Sequence, residues 1–200
     1  AFNSARATRP SVVYVGANDG MLHAFNADTG IERWAFIPPP LLPKLRAMES
    51  ASANKSNSIY GVDGSPAVND VFYAGRWRTV LVSGLGSGGK GYFALDVTDP
   101  DNPAHLFSFA HDASEKFVYT WAADGRRTTY SYLVAGAVPA AADFSALGDA
   151  WSKPVILPIP YLGGTRWVAV IGGGYSGGAK TGYGSAVYVL DLENSGQVLA

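Results

Sequence analysis

Apolar residues fall in short runs bounded by glycine, proline, asparagine or aspartate, and few stretches hold a helical period. Residues 75–84 and 163–172 align at an offset of 88, matching Gly75/Gly163, Arg78/Arg166, Val80/Val168, Val82/Val170 and Gly84/Gly172. The same offset carries Pro66 onto Pro154 and Val68 onto Ile156, so two successive predicted strands repeat together. A third copy, residues 11–16, repeats the strand that ends in Gly84 at an offset of 68. After each glycine comes a second apolar strand with a polar end: Ala24-Phe25-Asn26, Ala94-Leu95-Asp96 and Val189-Leu190-Asp191. Turn residues follow each, and a last strand is predicted at 32–37 and at 105–110.

The repeating unit is therefore strand, hairpin, strand, glycine loop, strand, turn, strand. Its middle copy has the length of a four-stranded propeller blade. The predicted fold is all-β, a β-propeller of quinoprotein-like four-stranded blades, with this chain an incomplete arc of about three. Residues 1–37 are the end of one blade, 61–110 a complete blade and 151–200 most of a third. The pattern is expected to continue beyond both ends of the chain. Residues 38–60 and 111–150 interrupt the repeat as insertions. The first begins Pro38-Pro39-Pro40, and Leu42, Leu45, Arg46 and Met48 predict a short amphipathic helix after Pro43. In the second, 128–134 predicts an extra strand and 139–148 an alanine-rich loop.

Composition narrows the function. Glycine reaches 24 of 200 residues, well above the usual ~7%, as a turn-rich β protein requires. A net charge of −1 without a basic stripe argues against a nucleic-acid partner. With no cysteine there are no disulfides, thiol nucleophiles or cysteine–zinc sites. The longest apolar runs contain proline and fall short of the ~20 residues of a membrane helix, so no transmembrane segment is expected.

Three enzyme signatures occur in the glycine loops, and each fails on context. Gly84-x-Gly86-x-x-Gly89 and Gly172-x-Gly174-x-x-Gly177 fit a dinucleotide fingerprint, but that motif needs a following helix and both next segments read as strands. Each string reads instead as a flexible link between two blade strands. Gly84 to Lys90 resembles a phosphate loop, yet Gly91 stands where Ser or Thr must hold magnesium. Gly174-Tyr175-Ser176-Gly177-Gly178 resembles a nucleophile elbow without its helix. His23, His105 and His111 lack metal-ligand spacing, and the carboxylates at 96–102 read as Asx turns around Pro100 rather than a calcium loop. No catalytic, cofactor-binding or metal-binding residue is assigned.

Ala24-x-Asn26-x-x-Thr29-Gly30-x-x-x-Trp34 resembles the tryptophan-docking repeat of quinoprotein propellers, in which the indole stacks between blades. The strings at 13–25, 41–45, 62–66, 84–98 and 187–191 resemble the C-terminal propeller of the PilY/PilC-type type IV pilus biogenesis factors. The glycine string at 84–98 is the most specific of them. The resemblance implies a non-enzymatic protein exported through the periplasm to the outer membrane, cell surface or pilus tip. It further implies assembly of pili against retraction, adhesion and twitching motility, with minor pilins and host or abiotic surfaces as partners. The family's calcium loop has no counterpart here, so calcium is expected only elsewhere in the parent chain. Because insertions carry function on rigid scaffolds, Lys44, Arg46, Arg126, Arg127 and Tyr130 are the predicted partner-contact residues. The alternative is a quinone-dependent (PQQ-type) dehydrogenase on the same fold.

Overall fold

The computed structural model describes residues 7–52, 59–177 and 182–199. Its strands form three antiparallel sheets, each a meander in chain order. The first sheet contains β1 (Val12–Gly16), β2 (Leu22–Asn26) and β3 (Glu32–Phe36). The second begins with β4 (Ala67–Tyr73), β5 (Arg76–Gly84), β6 (Gly91–Asp96) and β7 (Ala104–Asp112). It does not stop there. The repeat ends the middle unit at residue 110, but β8 (Phe117–Trp121) and β9 (Arg127–Ser131) extend this sheet to six strands. The third sheet contains β10 (Val155–Tyr161), β11 (Gly164–Gly172), β12 (Val187–Asp191) and β13 (Gln197–Val198).

The 88-residue offset is reproduced residue for residue, since it carries the bounds of β4 onto β10 and of β5 onto β11. Both hairpins turn through two residues of positive φ, Ala74 (50°) with Gly75 (73°) and Leu162 (48°) with Gly163 (80°). That conformation matches the right-handed twist of the flanking strands. Register shifts fall at equivalent places too, at Ala24/Phe25 and at Ala94/Leu95. Asn26, Asp96 and Asp191 each end the third strand of a unit and accept the backbone N–H groups of the turn beyond. Asp99 likewise accepts from the Asp101 N–H at 2.9 Å, as the Asx reading of the 96–102 cluster requires.

The sheets stack face to face as neighbouring blades. Val80, Val82, Tyr92 and Ala94 join Ile156, Ala169, Ile171 and Leu190 in a core between the second and third sheets. Leu81, Phe93 and Leu95 point the other way, onto Leu22 of the first sheet. Burial on both faces explains why Val80–Val82 of β5 and Tyr92–Leu95 of β6 are apolar without polar alternation. Trp34 lies opposite Ala24 and donates its indole N–H to the Pro100 carbonyl of the second sheet at 2.9 Å. The predicted docking tryptophan thus spans two blades. The outward faces of the first and third sheets remain apolar, with Val13 48% and Val187 64% exposed.

Residues 38–52 fold over the seam between the first two sheets. A 3₁₀ turn (Pro39–Lys44) leads into helix α1 (Leu45–Ser52), and Leu41 and Met48 are buried beneath it. The alanine-rich segment is irregular apart from a 3₁₀ turn at Ala140–Ala142. Among the described residues, no helix is long and apolar enough to cross a membrane.

Candidate functional site

The glycine string is a packed crossing point, not the flexible link that its composition suggests. Residues 85–89 lie between the segments 61–64 and 148–150, bonded to both through backbone. Asp63 N–H donates to Leu85 O at 3.1 Å, Gly86 N–H to Ala150 O at 3.1 Å, and Ala150 N–H to Gly89 O at 3.0 Å. A Cβ on Gly88 would fall on the Gly61 carbonyl oxygen, and one on Gly64 on the Gly84 carbonyl. Glycine is required at 84, 86 and 88 because backbones from three segments meet there with no room for a Cβ. β6 follows the string directly, so the helix that a nucleotide fingerprint needs is absent.

This loop forms the floor of a cleft of about 640 Å³. Pro40, Pro43 and Lys44 of the first insertion form one wall, and Tyr119, Trp121 and Arg127 of the second form the other. Lys90 pairs with Asp149 at 2.9 Å in its depth. The Lys44 stem is exposed, but its ammonium reaches inward to donate to the Gly88 carbonyl at 2.5 Å. Burial there holds it below the ordinary lysine range, and the nearby Lys90 charge adds to that while Asp149 opposes it. Arg127 stacks its guanidinium over the Tyr119 ring at 5.3 Å.

A polar relay that ends on the buried His111 anchors the second insertion beside this cleft. His111 Nδ1 lies 2.6 Å from the Leu147 carbonyl, which can only accept, so Nδ1 carries the proton. Nε2 then accepts from the Tyr132 hydroxyl at 2.6 Å. Lys116 donates to the Tyr183 hydroxyl at 3.1 Å, and Tyr183 bonds Tyr132. Burial pushes the His111 pKa below its ordinary value, so the neutral ring that this bonding requires is favoured.

The predicted contact residues divide between two clefts. Lys44 and Arg127, 83 residues apart in sequence, line the large cleft together. Arg126 and Tyr130 line a second cleft of about 250 Å³ on the other face of the same sheet, with Pro139, Ala142 and Phe144. Arg46 is exposed on α1 and is not among the residues lining either. Sequence reading missed Lys90, Asp149, Tyr119 and Trp121. Lys90 was hidden within the glycine string, and the aromatics gave no signal until β8 was placed beside β7. Among the described residues, no group of three or more His, Asp or Glu side chains is arranged to hold a metal ion.

The family model of the PilY1 β-propeller domain matches residues 1–122. Type IV pilus biogenesis factor PilY1 of Pseudomonas aeruginosa strain PAO1 is 36% identical over 192 residues, covering 96% of this chain and 13% of that protein. A PilY1 homolog of Xylella fastidiosa is 53% identical over 103 residues, covering 51% of this chain and 8% of its own. The crystal structure of the P. aeruginosa PilY1 C-terminal domain superposes with a TM-score of 0.60 at 34% identity, covering 98% of this chain and 30% of that one. The chain thus spans a small part of the length of the curated relatives it matches. None of these relatives supports the quinone-dependent dehydrogenase alternative.

Proposed function

The chain belongs to the PilY1 β-propeller family, and on that premise we propose that it is part of a type IV pilus biogenesis factor that docks a pilus component in the Lys44–Arg127 cleft. One observation carries the reading: two insertions far apart in sequence close on a single cleft, floored by a glycine loop packed too tightly to yield. Such a site is preorganised, which lowers the ordering cost of docking a protein segment. The role is non-enzymatic, the protein acting at the cell surface or pilus tip after export through the periplasm. There it favours assembly over retraction by engaging minor pilins, and it supports twitching motility and adhesion to host or abiotic surfaces. Calcium, where it regulates this balance, binds outside the present segment.

The test is a pilus count by electron microscopy on cells deleted for the parent gene. Bald cells are expected while retraction is intact, with pili restored when the retraction motor is also removed. Complementation with a Lys44→Glu, Arg127→Glu double variant is expected to leave cells bald. Normal piliation of the deletion strain would overturn the reading.

A further inference from the structure

The six-stranded sheet ends on β9, and the register fixes which backbone groups that edge presents. Ala122 N–H donates to Arg126 O and Tyr132 N–H to Lys116 O, both at 3.0 Å. Residues 126, 128, 130 and 132 therefore turn their amides toward β8. Arg127, Thr129 and Ser131 turn theirs outward, and no described residue takes those N–H and C=O groups. Edges of this kind are commonly blunted by proline. β10, at the edge of the third sheet, carries Pro158 and Pro160. β9 instead reads Arg-Thr-Thr-Tyr-Ser, rich in strand-favouring residues and free of proline.

The two clefts flank this edge, one on each face of the sheet. Arg127 faces the larger with Tyr119 and Trp121, while Arg126, Thr128 and Tyr130 face the smaller, beside Phe144 and Ala142. Charge in the larger cleft is unbalanced. Asp149 is taken by Lys90, and Asp112 accepts the Ser114 and Glu115 N–H groups of its own turn. His111 is engaged at both ring nitrogens. Lys44 and Arg127 have no carboxylate within ion-pairing distance among the described residues. Lys44, a partly desolvated cation without a counter-charge, favours an incoming anion, and the exposed Arg127 adds to the attraction.

We propose that the β9 edge accepts an extended segment of a protein partner as a further antiparallel or parallel strand, with a carboxylate-bearing face directed at Lys44 and Arg127. The intervening side chains, small and apolar, enter the cleft beside Phe144. Main-chain pairing supplies the attachment and the two clefts supply the selection. This rests on the reading that the propeller docks a protein, and it names the chemistry of the docked segment.

The test uses the full-length protein and fluorescence anisotropy with two labelled octapeptides, one alternating Glu and Val and the other Lys and Val. The Glu peptide is expected to bind at least about tenfold more tightly, and more weakly as salt rises. N-methylation of one alternate set of its amides is expected to reduce binding about tenfold or more, because that set faces β9. In the Lys44→Glu, Arg127→Glu variant the preference reverses. Should that variant fail to fold, the N-methylated peptides still decide on the native protein. Equal binding of the two peptides, indifference to N-methylation, or no binding of either overturns the proposal; the last is the result if another segment of the same chain already fills the edge. Bald deletion cells with no peptide binding would sink the edge site alone. Peptide binding with normally piliated deletion cells would sink the pilus reading alone.

Discussion

Replacing Trp34 with alanine probes the joint between the first and second blades. The indole sits opposite Ala24, 5.7 Å from the Tyr14 ring, and packs against the core shared with Leu81 and Leu95. Its N–H crosses to the Pro100 carbonyl of the next blade. Loss of that hydrogen bond costs about 1 kcal/mol net. The side chain is half-buried, so roughly 100 Å² of apolar surface returns to water, about 2.5 kcal/mol at 25 cal/mol per Å². The expected destabilisation is therefore about 3–4 kcal/mol. Trp34→Phe keeps part of the packing and none of the bond, and should cost about 1–2 kcal/mol. Urea denaturation of the complete propeller domain, followed by far-UV circular dichroism, reads both values as midpoint shifts at constant slope. A loss below about 1 kcal/mol for the alanine variant would show that the blades dock without this residue.

Gly88→Ala should abolish folding or cost more than about 3 kcal/mol, since its methyl group would fall on the Gly61 carbonyl; Gly75→Ala meets open space and should cost only about 1 kcal/mol for its positive φ. Similar melting temperatures for the two variants would contradict the packed-floor description. The histidines should act on stability with opposite sign. Burial lowers the folded-state pKa of His111, so its contribution is present above about pH 6.5 and is lost as pH falls through the lowered value. Hydrogen bonding to Glu32, with Asp19 adding to it against a burial penalty, raises the pKa of His23. Its contribution is full below about pH 6.5 and is lost as pH rises through the raised value. His111→Gln should thus lower the urea midpoint more at pH 8 than at pH 5, and His23→Gln more at pH 5 than at pH 8. The same ordering for both variants would refute the assignment.

Much of the fold was legible because its determinants are local. A short apolar run, a two-residue positive-φ turn and an Asx-capped strand end repeat along the chain, and each is set by neighbours within a few residues. Trp34 was readable for the same reason, since its docking role follows from its spacing to Ala24 and Gly30. The cleft was not. Lys44 and Arg127 were named singly, as charges on insertions, but nothing local says that the two insertions meet. Nor does Arg-Thr-Thr-Tyr-Ser announce that it ends a sheet, since an edge strand with solvent on one side carries no apolar run to mark it. The glycine string shows the division best. By itself the sequence determined that five of the eight residues at 84–91 are glycine. Only the tertiary structure decided why, because the backbones that exclude a Cβ at Gly84, Gly86 and Gly88 belong to segments 61–64 and 148–150, brought in by the packing of blades rather than by chain proximity.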